Sequence, residues 1–187
     1  MKLHYTLKIY IFFTFLLSAQ LIQAQSDSYY LIGLKGGVNV ANLQGSEGST
    51  LTGFTGGLYA EYLISPVFTL RSEALYSLQG NRNDLLSDRI KLHYLNWPIL
   101  GKVYVSDMLG LEFGPQIGFL LSGTGGTLPS GAYNAVDFGL AFGTSVNVVS
   151  NLDIGVRYNL GLTEVTKTHQ NIKNSVFQFT LGYTLGY

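Results

Sequence analysis

The sequence contains no cysteine, which excludes a disulfide framework, a thiolate zinc site and a cysteine nucleophile. Charge is scarce too: 12% of residues are charged, and eleven basic residues balance eleven acidic ones. That balance offers no electrostatic field for nucleic acid, so no nucleic-acid partner is expected. Beyond residue 24 no apolar run approaches the roughly 18 residues that a membrane-spanning helix needs. What the chain does have is 47% hydrophobic and 13% aromatic residues over 187 positions, a size and composition for one packed domain rather than disorder. Twenty-three glycines among so many aromatics do not suit an ordinary soluble domain.

Residues 1–24 have the three zones of a secretory signal peptide. Lys2 and Lys8 provide a positive start, residues 9–17 are almost unbroken apolar, and Ile22-Gln23-Ala24 ends on a small residue. The apolar stretch is too short to span a bilayer. The mature domain is therefore expected to be residues 25–187. Loss of Lys2 and Lys8 leaves nine basic residues against eleven acidic ones, a net charge of −2. With no cysteine after the cleavage site, a lipoprotein anchor is not expected.

From Tyr30 onward the sequence alternates. Ile32, Leu34, Gly36, Val38 and Val40 share one phase; Gly33, Lys35, Gly37 and Asn39 share the other. Period two with unlike faces marks a strand. The pattern recurs seven more times, around Phe54–Ile64, Phe68–Leu78, Leu95–Val105, Leu109–Leu121, Val136–Val148, Leu152–Leu162 and Phe177–Tyr187. Eight runs of about eleven residues fit tilted membrane strands, which need about 9–11, better than soluble strands of about five or six.

The connections point the same way. Short turns at 65–67, 106–108 and 149–151 alternate with polar or glycine-rich segments of twelve or thirteen residues at 41–52, 80–91, 122–134 and 163–174. Outer-membrane barrels have this asymmetry, with short periplasmic turns and longer external loops. Both ends of the mature chain are then expected on the periplasmic side.

The two phases differ in kind. The uniform set carries no charge, and Ser72 and Thr144 are its most polar central members. The mixed set holds nine charges: Lys35, Glu61, Arg71, Glu73, Lys102, Glu112, Asp137, Asp153 and Arg157. A soluble barrel would have to crowd Phe, Leu, Tyr and Val into a narrow lumen. The inverted arrangement, apolar side to lipid and small or charged side chains inside, is easier. Lipid also demands closure, because an open edge would leave backbone groups unpaired in hydrocarbon. The expected fold is an all-β, eight-stranded, antiparallel, up-and-down transmembrane β-barrel.

Turn geometry pairs some of the nine charges in advance. If Ile64 opposes Phe68, Glu61 faces Arg71; if Val105 opposes Leu109, Lys102 faces Glu112. Directly opposed side chains lie about 4.5–5.5 Å apart at Cβ, so both are expected as ion pairs near the periplasmic end. Lys35, Glu73 and Arg157 should meet across the lumen. Pro98 and Pro115 interrupt strands that should donate on both sides, and a shared bulge is expected there.

Several stretches together carry a family resemblance: Gly33-Leu34-Lys35-Gly36-Gly37-Val38-Asn39, Arg71-Ser72-Glu73-Ala74-Leu75-Tyr76-Ser77, Tyr94-Leu95-Asn96-Trp97-Pro98-Ile99-Leu100, Gly114-Pro115-Gln116-Ile117-Gly118, Asp137-Phe138-Gly139 and Val156-Arg157-Tyr158-Asn159-Leu160-Gly161-Leu162. In their order and spacing the chain resembles the PorT-like outer-membrane β-barrel family of Gram-negative bacteria, from about Tyr30 to Tyr187. Asn96 stands where that family usually has an acid. The resemblance implies an eight-stranded barrel and no particular activity.

Candidate chemistry is thin. His93 and His169 fall at or near loops with no motif around them, and Glu47, Asp84 and Asp88 are scattered without calcium-loop spacing. Gly123-Thr124-Gly125-Gly126-Thr127 lacks the lysine and helix of a phosphate loop. No catalytic residue, metal or cofactor is expected. The reading is a monomeric structural or interaction barrel with a lumen filled by side chains. Its partners are outer-membrane lipid, the barrel-assembly machinery and another envelope protein met through loops or periplasmic rim. The alternatives are a narrow channel or small-solute transporter and, after it, a lipid-modifying enzyme.

Tyr187 ends the chain in the lipid-facing phase of Leu181, Tyr183 and Leu185. An aromatic there belongs to the interfacial girdle, and likeness to outer-membrane barrels implies a second role as assembly signal. Deleting Tyr187 should leave refolding in detergent intact while lowering the outer-membrane yield in cells. Wild-type assembly of the truncated protein would refute the signal role.

Overall fold

In a computed structural model, residues 30–45, 48–83, 88–124, 133–167 and 171–185 are described. The expected signal peptide at 1–24, His169 and Tyr187 lie outside them. Eight strands follow in chain order: β1 (Tyr30–Gln44), β2 (Ser49–Ser65), β3 (Phe68–Asn83), β4 (Asp88–Tyr104), β5 (Leu109–Thr124), β6 (Val136–Val149), β7 (Leu152–Gly161) and β8 (Lys173–Thr184). Each pairs antiparallel with its sequence neighbour, and β8 returns to pair with β1, closing the barrel.

The register sets the tilt. Following paired residues once around gives Tyr30, Tyr62, Leu70, Gly101, Phe113, Phe142, Tyr158, Phe177 and then Val40. The path thus re-enters β1 ten residues from where it left, at 40 instead of 30. Such a stagger requires strands inclined to the barrel axis, by about 35–45° in barrels of this kind.

The outward phase is apolar through the middle of every strand. Val38, Phe54, Leu70, Trp97, Phe113, Phe142, Val156 and Phe179 are all exposed, Phe113 to 60%. Two polar residues in the middle of that face have their hydroxyls satisfied: Ser72 Oγ accepts from Trp97 Nε1 at 2.9 Å, and Thr144 Oγ1 donates to the Gly110 carbonyl at 3.1 Å. An unpaired hydroxyl facing hydrocarbon would cost free energy, so these bonds let a serine and a threonine sit there. Rings gather towards the two edges, with Tyr30 stacked on Tyr62 at 4.8 Å and Tyr158 between Phe142 and Phe177.

Three sequence expectations need correction. The segments at 41–52 and 80–91 are not loops along their length: β1 and β2 are joined by 45–48, β3 and β4 by 84–87. Polar residues beyond the lipid still satisfy their backbone groups by continuing the antiparallel ladder. The prolines do not create a bulge. Pro98 pairs with Gln116 and Gly101 with Phe113, the same register on either side, while the slip lies at His93/Tyr94. A proline lacks one donor but does not by itself insert a residue. Finally, β7 is shorter than expected, at 10 residues.

A closed barrel of this kind stays folded in cold detergent and opens on boiling. The protein should fractionate with the outer membrane and migrate differently in unheated and boiled gel samples. Recovery as a soluble periplasmic species would refute the lipid-facing assignment.

Candidate functional site in the barrel lumen

The inward phase builds the lumen in layers. At the short-turn end lie four basic and four acidic side chains. Glu61 opposes Arg71 across the β2/β3 hairpin as expected, although Ser65 and not Ile64 pairs with Phe68 and a shift between Leu63 and Ser65 restores the alignment; the Glu61 carboxylate accepts from Arg71 Nε. Arg71 also reaches Glu112 Oε1 at 3.0 Å and lies 3.6 Å from Asp153 Oδ2. Lys35 donates to Glu73 at 2.8 Å. Arg157 bridges two acids, meeting Glu73 at 2.6 and 2.9 Å and Glu112 at 2.6 Å. The face of Tyr59 lies under the Arg71 guanidinium at 4.6 Å, and its hydroxyl bonds to Thr184.

Burial decides what this cluster means. Glu73 and Lys102 are 1% exposed and Arg71 is 2% exposed. A lone buried charge is costly, so the group is tolerable only because four cations meet four anions and each acid is engaged by a cation. The glycines opposite make the crossing possible. A β-carbon on Gly182 would collide with the Asp153 carboxylate, and one on Gly110 would fall 2.6 Å from Lys102 Cε.

Two expected members behave differently. Lys102 does face Glu112 in the β4/β5 register, but the expected ion pair does not form. Both Glu112 oxygens are taken by Arg71 and Arg157. The Lys102 ammonium instead lies 3.7 Å from Glu61 and 4.8 Å from the Tyr104 ring centroid. Two guanidiniums satisfy the carboxylate with directed, charge-assisted bonds that a flexible ammonium cannot match. Asp137 is the second correction. It points inward but sits at the loop end, where Thr163 Oγ1 and Asn174 Nδ2 each donate to it at 2.7 Å. Among the described residues no cation pairs with it, so it stands apart from the charge cluster.

Above the ions comes an uncharged layer. Asn39 donates to Ser77 Oγ at 2.9 Å and accepts from Gln178 at 3.1 Å, while Gln79 also donates to Ser77. Higher still, Leu43, Leu92, Tyr94, Tyr133 and Val165 form a buried apolar cluster, with Ile90, Leu120 and Ile172 packed against it. Sequence reasoning missed this cap because it assigned 41–52 and 80–91 to loops. A signal was present: Leu43 continues the inward phase of Asn39, and Leu92 and Tyr94 continue that of Asn96. Its polar-to-apolar switch marks the point where the lumen ends. His93 is no loop histidine either; it lies in β4 on the outer face, hydrogen-bonded to the Tyr76 hydroxyl.

Because Glu61 and Arg71 share one buried field, Glu61→Gln and Arg71→Met should each destabilise the barrel by roughly 3–5 kcal/mol. The double variant restores neutrality and should lose clearly less than the sum. Urea unfolding in lipid vesicles measures this, and strictly additive losses would refute the coupling.

Residues 23–167 match the family model described as outer membrane protein beta-barrel domain. No curated protein matches the sequence significantly. Among solved structures, the chain is similar to Neisserial surface protein A, with a TM-score of 0.59 at 14% identity, over 83% of this chain and 97% of that one. It is also similar to Ail, the attachment invasion locus protein of Yersinia pestis, solved with the heparin analogue sucrose octasulfate: TM-score 0.52, 12% identity, 86% of this chain and 100% of that one. These likenesses at low identity show the shared barrel fold. With the family model covering most of its length, the chain belongs to the outer-membrane protein β-barrel domain family.

Proposed function

We propose that this protein is a structural or interaction barrel of a Gram-negative outer membrane, with no catalytic role, that holds a partner from the envelope through its loops or its short-turn rim. Within the family, the motifs around Lys35, Arg71, Trp97, Pro115 and Arg157 favour the PorT-like branch. The proposal includes export by a cleaved signal peptide, insertion by the barrel-assembly machinery, a monomeric barrel, and an orientation with the short turns in the periplasm.

One observation carries the reading: the lumen is filled. Four cations and four anions close the short-turn end with their charges turned on one another, and an apolar cluster roofs the loop end. A permeation path through eight strands needs an open, wet bore, and the charged groups of this interior are turned on one another across it. With the inside occupied by its own side chains, recognition falls to the two ends. His93 is engaged by Tyr76 on the lipid side, which supports a non-catalytic reading over a hydrolase built around it.

The refolded protein should give no stepwise conductance in planar bilayers. Replacing Arg71 and Glu112 together by alanine, which removes bulk while keeping neutrality, should allow small ion currents. Steady unitary conductance from the unaltered barrel would overturn the proposal in favour of a channel.

A further inference from the structure

The loop half of the lumen holds the ninth charge. The four cations and four anions at the short-turn end balance one another, so Asp137 is the interior's one uncompensated charge. Thr163 Oγ1 and Asn174 Nδ2 each give its carboxylate one neutral hydrogen bond, and Thr163 Oγ1 also accepts from the Phe138 amide. A carboxylate offers about four lone-pair positions, so about two remain. Among the described residues no cation reaches them. A charge held away from bulk water by neutral donors alone is costly.

Its neighbours are polar, buried and unsatisfied. A β-carbon on Gly118 would stand 2.8 Å from Asn96 Oδ1, 3.3 Å from Tyr94 Cδ1 and 3.6 Å from Asp137 Cβ, which sets these three side chains around one glycine of β5. One on Gly161 would fall 2.9 Å from the Asn174 backbone, and Asn159 shares the inward phase of β7 with Gly161, two residues before it. Tyr94, Asn96, Asn159 and Asn174 are each 4% exposed or less. Even so, Asn174 Oδ1, Asn96 Nδ2 and both polar atoms of the Asn159 amide have no hydrogen-bond partner among the described residues. The Tyr94 hydroxyl lies beside Asn174 and in the field of the Asp137 carboxylate, outside hydrogen-bonding geometry with either. Buried polar groups are nearly always paired. Here four neighbouring side chains leave polar atoms open towards a carboxylate with lone pairs to spare.

We propose that Asp137, Tyr94, Asn174, Asn159 and Asn96 form a site for one alkali cation, sodium or potassium, lodged between the ion cluster and the apolar cap. Carboxylate, hydroxyl and amide oxygens are the ligands that hard cations take. An asparagine can present either end of its amide, since oxygen and nitrogen differ little in size, so Asn96 and Asn159 can both turn an oxygen to the ion. One carboxylate balances one positive charge. A divalent ion would leave an excess charge buried, and an anion would face Asp137. The ion would join β4, β6, β7 and β8 directly beneath the cap that Leu43, Leu92, Tyr133 and Val165 help to build. With charges turned on one another below it and apolar side chains above, it is a resident ion and not one in transit. The site is independent of any partner held at the ends of the barrel.

The test uses the full-length mature chain refolded in neutral detergent, with sodium or potassium chloride exchanged for choline chloride at constant ionic strength. A ligand bound only by the folded barrel stabilises it, so the urea midpoint should be higher in either alkali salt than in choline chloride. That difference should vanish in Asp137→Asn, as a general salt effect would not. The sodium NMR resonance should broaden saturably with the unaltered protein, and potassium should reverse the broadening. Asp137→Asn should lower sodium affinity at least about tenfold and Tyr94→Phe about threefold, with both variants keeping the heat-dependent gel shift. Asp107→Asn, in a short turn at the other end, should bind sodium as the unaltered protein does. Equal midpoints in all three salts, or sodium broadening unchanged by Asp137→Asn, would leave ordered water alone at these residues and overturn the site. Displacement of sodium by a much lower concentration of calcium chloride would overturn the monovalent assignment.

Discussion

Backbone hydrogen bonding in hydrocarbon governs this molecule. A strand in lipid cannot leave its amides and carbonyls to water, so each must pair on both sides, and eight strands can do that only by joining the last to the first. The β1/β8 ladder, which pairs residues from Gly33 with Thr184 through Gln44 with Lys173, is that closure. Once the ring is shut, alternation along each strand divides every side chain between lipid and lumen. Strand tilt follows from the stagger, and tilt in turn sets which side chains share a level inside. The charges gather because Arg71, Glu112, Asp153 and Arg157 are brought to neighbouring levels by the same inclined register.

A narrow interior imposes its own rule. With room for side chains and little water, polar groups must satisfy one another. The cluster does this with equal numbers of opposite charges and with glycines opposite the longest side chains. Buried ion pairs are weak contributors to stability in themselves, yet removing one partner is expensive. The interior therefore resists piecemeal change more than it stabilises the fold, a physical reason to look for function at the ends of the barrel instead.

The two edges of the lipid belt are not equivalent. One is apolar up to its turns; the other carries arginine and lysine just past its rings. A barrel with that asymmetry presents two different rims, and the basic one lies on the side of the longer connections. The ladder of hairpin β3/β4 runs on as far as the pairing of Asn83 with Asp88.

The fold class was legible in the sequence because period-two alternation and alternating connection lengths are local properties. Glu61 opposite Arg71 was legible for the same reason, since a short turn keeps hairpin neighbours in step; the turn itself is one residue shorter than expected, and the irregularity between Leu63 and Ser65 makes up the difference. The Lys102 partner was not. Adjacency proposes Glu112, but the outcome depends on which cation reaches that carboxylate first across the lumen, from β3 and from β7. Asp137 shares a phase with the other charges, yet the stagger of ten lifts it away from them to the loop end. The apolar cap needed the ends of β1 and β4 to continue as ladder and to converge with Tyr133 and Val165 from two connections. Sequence by itself determined which side of each strand faces lipid and which hairpin neighbours meet, because period and turn length act over a few residues. Only the tertiary structure decided who pairs across the barrel, because closure and shear bring together residues that nothing along the chain relates.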